Sequence, residues 1–572
     1  MSTLDNRKVP KGLVAIVSSV VILFFIVLVI VVATRKHVSL KDIKNDEDAK
    51  KVMEKLMDDI NIHKGSPTKS SVSFETNLAE ELPEISQYPL SVEGSGSVDI
   101  EIFATSEKSG SDKDGWINDI AVKFNKEGYT TSSGKTMSVS IRPMASGMGS
   151  DYIISGKYLP QGYTPSNYLY GALIQAQGGE VKVASEKLVG NCAGILLSED
   201  MYDKLKDKYG EVSIASVVKA TADNNMTMGY TNPLSSATGL NFLVTTLKYY
   251  DSEDILSDKA KEGFTSFQTN VPYVAYTTLQ MRTSAKSGSF DGMVMEYQTY
   301  INDDDLRSEY KFIPFGIRHD NPLYAVGALS KDQQEAMDKF VEYCANPQSQ
   351  KLATSYGFNQ DSAYGSSDED TVKYTGADLM GAQKIWKNNK DGGKDVCAVF
   401  VADVSGSMQG DPILALKKSL INGAQYINDN NKVGLVSYST DVTKELDIAK
   451  FDLNQRAYFQ GAVENLSANG NTASYDALVV ALDMILKEKE DNPDIKPMIF
   501  LLSDGAANQG NSIEDIKGIF QYYQIPIYTI SYGSEADKKA MEDVSMINEA
   551  ASINASSDDV VYKIKSLFNA QM

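Results

Sequence analysis

Residues 399–410 read VFVADVSGSMQG, an apolar run, Val399 to Ala402, that stops at Asp403. Ser405 and Ser407 follow in alternation, with Gly406 between them. A strand ending in an acid and two hydroxyls can cradle a phosphate, carry a nucleophile or bind a metal. A phosphate cradle needs a glycine-rich loop closed by a lysine, which this stretch lacks. A nucleophilic serine needs a base. The three histidines are His37, His63 and His319, and none follows the stretch, so a Ser-His-Asp arrangement fails.

The surrounding text predicts a doubly wound, Rossmann-like α/β domain over residues 385–572. A strand over 395–404 leads to a helix over 411–426, with Asp411 as N-cap and Pro412 at its first position. Further strands are KVGLVSYS, KPMIFLLSDG and IPIYTISYGS. The segment NGNTASYDALVVALDMILKE sets Thr472 at the mouth of a long helix, and SSDDVVYKIKSLFNAQ forms an amphipathic one. In such a sheet the loops after the carboxyl ends of strands form the ligand crevice. Asp403, Ser405, Ser407, Thr472 and Asp504 all fall there. Five oxygen-bearing side chains without histidine or cysteine suit a hard cation, magnesium first, with manganese or calcium able to compete.

Three pieces in order, DVSGS, the threonine of GNTASYDAL and the aspartate of LLSDG, resemble the von Willebrand factor A domain. The resemblance implies a metal-ion-dependent adhesion site. Ser405, Ser407 and Thr472 would ligate the ion directly or nearly so, Asp403 and Asp504 partly through water. A carboxylate from a protein or cell-wall partner would complete the shell. Ser503 stands where threonine is more usual.

Residues 96–365 carry a second α/β pattern. SVDIEIFAT alternates like a strand, and Trp116, Ile120 and Phe124 follow at helical spacing. The stretches IEIFATSEKSG, MASGMGSDYIISGKY, YTNPLSSATGLNFLVTTL and LSKDQQEAMDKFVEYCANPQSQKLATSYGFN resemble the two-lobed type II extracellular solute-binding proteins of bacterial ABC importers. That resemblance implies a periplasmic-binding-protein-like fold with a cleft between lobes. Ser106, Ser146, Ser235 and Ser236 lie in loops leading into helices, whose free N–H groups suit a small polar or anionic solute. Lys108, Arg142 and Arg282 are candidate anion-marking side chains.

Upstream, Gly12–Ala33 carries no charge. As a helix it spans roughly 33 Å, the thickness of a bilayer core. The reading is an uncleaved anchor over 12–33, with 1–11 cytoplasmic, 34–95 a juxtamembrane linker in which KDIKNDEDAKKVMEKLMDDI patterns as a polar amphipathic helix but is read as a solvated spacer, and the bulk of the chain extracellular. A cleaved signal peptide is the alternative. Net charge is −21, which disfavours nucleic acid. Three dispersed cysteines suggest neither disulfides nor zinc. Together these features predict a non-enzymatic, membrane-anchored surface protein that binds a partner through its cation. Its solute-binding-like domain would sense or capture a ligand. An importer's substrate receptor is the rival, and a metal-dependent hydrolase or chelatase-like subunit the enzymatic one.

Overall fold

The computed structural model describes residues 40–72, 77–271, 273–275, 281–282, 291–365, 373–531, 535–548, 550, 552–554 and 560–572. The predicted span 12–33 lies outside them. No helix among the described residues is long and apolar enough to cross a membrane.

Among the described residues, seventeen strands form three sheets. β1 is Ile62–Lys64. β2 (Val98–Ala104), β3 (Met137–Pro143), β4 (Gly162–Thr164) and β5 (Val181–Ser185) follow. β6 (Asn191–Ser198), β7 (Met228–Thr231), β8 (Tyr273–Ala275), β9 (Gly292–Glu296) and β10 (Tyr310–His319) come next, then β11 (Leu323–Val326). The last six are β12 (Val396–Asp403), β13 (Lys432–Tyr438), β14 (Val442–Lys450), β15 (Lys496–Ser503), β16 (Ile527–Ser531) and β17 (Ser552–Asn554).

The middle region has two lobes. The first sheet runs β3-β2-β4-β11-β5 and the second β10-β6-β9-β7-β8. The chain crosses between them twice, from β5 to β6 and back from β10 to β11. Asn321 ties the two crossings together. It adopts the left-handed conformation, φ 49°, and its Nδ2 donates to Val189 O at 3.1 Å and His319 O at 2.8 Å.

The third sheet runs β1-β14-β13-β12-β15-β16-β17, with β14 antiparallel to β13 and the other pairs parallel. Every residue of β12 is buried, as a central parallel strand requires. Val396, Ala398, Phe400 and Ala402 pack on one face with Phe500 and Phe568. Cys397, Val399 and Val401 pack on the other with Leu478 and Ile485. One predicted cap shifts. Gly410, at φ 86°, precedes the helix Asp411–Gly423, so Asp411 and Pro412 occupy its first turn.

The expectation of a solvated linker over 34–95 is overturned for its described residues. The helix Asp46–Asp58 buries Ala49, Met53 and Leu56 against Leu478, Val479 and Ile516, and β1 adds itself to the edge of β14. An apolar stripe at i, i+4 and i+7 drives this docking, although acids and lysines dominate the composition. Farther on, Leu82 joins the core of the lobes, and Val92 bridges Ile141.

The helix Gly376–Asn389 joins the halves. Leu379, Ala382 and Trp386 enter the core of the lobes, and Trp386 Nε1 donates to Tyr230 Oη at 2.7 Å. A Cβ on Gly376 would lie 2.3 Å from Ala176 Cβ, so only glycine permits this helix–helix approach. The closing helix Val560–Gln571 contacts the first lobe: Tyr562 Oη donates to Asp151 Oδ2 at 3.0 Å, and Lys565 pairs with Glu81 at 2.9 Å.

Candidate functional site

Two sites emerge from the described residues. At the carboxyl end of β12, Asp403 Oδ1 accepts from the Ser405 N–H at 2.8 Å. Ser405 Oγ lies 3.1 Å from Ser407 Oγ, and Ser407 Oγ donates to Asp504 Oδ1 at 2.9 Å. Thr472 reaches the same edge through its loop. The Gly406 N–H donates to Gly470 O at 3.0 Å. Thr472 itself is clasped by Asn508, whose Oδ1 accepts from the Thr472 N–H at 2.9 Å while its own N–H donates to Thr472 O at 3.0 Å.

Fit to a cation can be judged from this geometry and from Asp403. Neighbouring ligands of an ion with ~2.1 Å bonds in octahedral array lie about 3 Å apart. The successive oxygens of Ser405, Ser407 and Asp504 have that spacing. Asp403 is fully buried, and the groups that donate to it are neutral: the Ser405 N–H, Ser503 Oγ at 2.6 Å and Tyr438 Oη at 3.1 Å. Burial therefore raises its carboxyl above the ordinary range, against the opposing pull of those hydrogen bonds. A buried carboxylate beside a row of hydroxyl oxygens, with no cationic side chain bonded to it among the described residues, fits a bound divalent ion.

Sequence reasoning missed the groups that hold Asp403. Tyr438 pairs with Asp403 in the β12–β13 register, and Ser474 Oγ donates to Tyr438 Oη at 3.3 Å. Ser503, noted only as a substitution, is the residue that orients Asp403. The available signal was its position at the end of β15, the strand next to β12.

The second site lies between the lobes. Ser106, Ser146, Ser235 and Ser236, from four loop positions, line one cavity of ≈ 30 Å³ together with Glu107 and Glu296. Ser106 and Ser146 open helices, and Ser236 caps the helix Ala237–Tyr250 by accepting from the Gly239 N–H at 3.3 Å. The lobes touch across this cavity: the Gly147 N–H donates to Ser235 O at 2.9 Å. A Cβ on Gly147 would lie 2.3 Å from Leu234 O. The basic residues marked from sequence are already paired. Arg142 pairs with Glu101 at 2.7 Å and Arg282 with Asp114 at 3.3 Å. Lys108 is buried, bonded to Glu107 at 3.2 Å and Asn321 at 2.9 Å. Glu107 and Glu296 were not anticipated.

The folds and sites together define a binding protein of two parts, a two-lobed cleft domain and a doubly wound domain with a hydroxyl-lined crevice. Residues 398–570 match the von Willebrand factor type A domain, and residues 109–359 match the bacterial extracellular solute-binding protein family. The chain thus carries a C-terminal von Willebrand factor type A domain and, before it, a bacterial extracellular solute-binding domain. Among curated relatives, the uncharacterized protein sll0103 of Synechocystis sp. is 24% identical over 148 residues, covering 26% of this chain and 34% of that one. The mouse (Mus musculus) inter-alpha-trypsin inhibitor heavy chain H3 is 27% identical over 162 residues, covering 26% of this chain and 18% of that one. This chain therefore spans about a third or less of these relatives. Among solved structures, the sulfate-binding protein SubI of Mycobacterium tuberculosis aligns at 17% identity and TM-score 0.34, covering 51% of this chain and 98% of that one. The von Willebrand factor type A protein of Catenulispora acidiphila aligns at 18% identity and TM-score 0.28, covering 31% and 43%.

Proposed function

We propose that this chain is a non-enzymatic, membrane-anchored extracytoplasmic binding protein. A divalent cation, magnesium first, is held by Asp403, Ser405, Ser407, Thr472 and Asp504 and bridges to a carboxylate on a protein or cell-wall partner. The cleft between the lobes captures a small polar solute. The observation that carries the first half is the run of oxygens through Ser405, Ser407 and Asp504 at 3.1 and 2.9 Å, beside the buried Asp403. When bound, the cation supplies a Lewis-acidic position for the partner's carboxylate. Asp403 is kept in place by Ser503 and Tyr438, and Thr472 by Asn508. The second half is supported by the meeting of four serines from three separate segments in one interlobe cavity. The anchor is an expectation from Gly12–Ala33 and is tested by sequencing the N-terminus of the mature protein from membrane fractions.

The test is calorimetric titration of the full-length chain with magnesium. Wild type should show one saturable site, and Ser405→Ala should weaken it at least tenfold. A wild type without a saturable site, or a variant that binds as well, defeats the cation assignment.

A further inference from the structure

The interlobe cavity is lined by two buried carboxylates, and their surroundings say what solute it suits. Glu107 is 5% exposed and Glu296 1%. Glu107 has a cationic neighbour in Lys108, at 3.2 Å, and also accepts from Ser166 Oγ at 2.8 Å. The Lys108 ammonium is fully engaged, since it also donates to Thr105 Oγ1 and to Asn321 Oδ1.

Glu296 has neutral partners. Its Oε1 accepts from Thr238 Oγ1 at 2.8 Å and its Oε2 from Asn191 Nδ2 at 2.6 Å. The Lys108 ammonium reaches it only through space, and His319 lies beside it, fully buried, with Nδ1 3.3 Å from Oε1 but poorly aligned for a hydrogen bond. The protonation of His319 follows from its other nitrogen. Nε2 faces two amide nitrogens, Asn167 Nδ2 and Asn241 Nδ2, each at 3.1 Å. Both amides are oriented by backbone. Asn241 accepts from the Ile317 N–H and donates to Ile317 O, and Asn167 accepts from the Leu169 N–H. Nε2 must therefore accept, so the proton sits on Nδ1 and the ring is neutral. Two carboxylates, one ammonium and one neutral imidazole leave one negative charge in excess among the described residues around the cavity.

An oxyanion is poorly served here. The helices that start at Ser146 and at Ala237 each bring about half a positive charge to the cavity, but Glu296 already stands against the second, bonded to Thr238 in its first turn, and together they do not exceed the excess negative charge. The other side chain that points to a ligand is Ser146. It is 3% exposed, lines the cavity, and its hydroxyl has no hydrogen-bond partner among the described residues.

We propose that the cleft binds a small solute through a protonated amine, held by Glu296 and the Ser146 hydroxyl, and discriminates against inorganic oxyanions. This rests on the solute-capture reading above and names its ligand class. The cavity volume, ≈ 30 Å³ with the lobes in contact, restricts the solute to a compact one.

The experiment is a thermal-shift screen of the full-length chain at constant, saturating magnesium, followed by calorimetry. The probes are methylammonium, glycine and alanine on one side, and sulfate, phosphate and molybdate on the other. Comparing methylammonium with the amino acids separates a simple ammonium from an α-amino acid. Amine probes should raise the melting temperature and oxyanions should not. Glu296→Gln should weaken amine binding roughly ten- to a hundredfold, and Ser146→Ala roughly three- to tenfold. If Glu296→Gln shows no native melting transition, Ser146→Ala decides, and unchanged amine affinity in that variant overturns the proposal. Binding of oxyanions without amines also overturns it while leaving solute capture standing. Failure of both classes to bind overturns the two together.

Discussion

Asp403→Asn should raise the melting temperature of the metal-free chain at neutral pH and abolish its response to magnesium. The carboxyl is buried, and the groups bonded to it, the Ser405 N–H, Tyr438 Oη and Ser503 Oγ, carry no positive charge. Burial raises its proton affinity above the ordinary carboxylate value. The native state therefore holds this proton more tightly than the unfolded chain does. Stability falls as pH rises from the ordinary carboxylate value through the higher native one. Asparagine keeps an acceptor for the Ser405 N–H and carries no charge, so the loss disappears. Magnesium reverses the order in the wild type. At a hundred times its Kd a ligand adds about 2.7 kcal/mol. For a folding unit of roughly 150–250 residues, such as the third sheet with its helices, that amounts to roughly 5–10 °C. Differential scanning calorimetry of both proteins, with chelator and with saturating magnesium, reads all four values. A variant that melts several degrees lower than wild type without metal would make Asp403 a structural acceptor. A variant that keeps the full magnesium shift would remove Asp403 from the site.

Four further outcomes follow from particular contacts. Gly147→Val places side-chain atoms against Leu234 O and Ser235 Cα, so the lobes should stay apart; solute affinity should fall at least tenfold while far-ultraviolet dichroism is unchanged. Met53→Ala, on the docked N-terminal helix, should cost about 2–3 kcal/mol and speed amide exchange across 46–64 before that of β12. Cys192, Cys344 and Cys397 are buried, with the Cys397 thiol pushed up to about 12 by desolvation, so a thiol reagent at pH 8 should label none in the native chain and all three in denaturant. Burial raises Asp151 above the ordinary carboxylate range despite Lys565 and its bond from Tyr562. Its contribution therefore declines as pH rises through that window, and Asp151→Asn should melt higher than wild type near pH 7, with the gap closing toward pH 3.

What could be read from the sequence was what is local in the chain. Asp403, Ser405 and Ser407 lie within five residues of one another, directly after an apolar strand, so their chemistry could be judged without knowing a single tertiary contact. Ser503 and Tyr438 act on Asp403 only because β15 and β13 flank β12, and sheet order is not written in any one segment. The same distinction runs through the cleft. Its serines announce themselves as helix starts. Glu296, at the end of β9, reads in isolation as a solvated acid, and its burial arises where Asn191, Thr238 and His319 converge on it from other segments. At the N-terminus the error ran the other way. In KDIKNDEDAKKVMEKLMDDI the acids and lysines outnumber Ala49, Met53 and Leu56, and composition suggested a spacer, but three apolar residues on one face suffice once a sheet edge and a helix surface are there to receive them. Charge count measures how much of a segment can face water. Periodicity measures whether the remainder can be buried together, and for a segment docked on a preformed domain the second quantity decides.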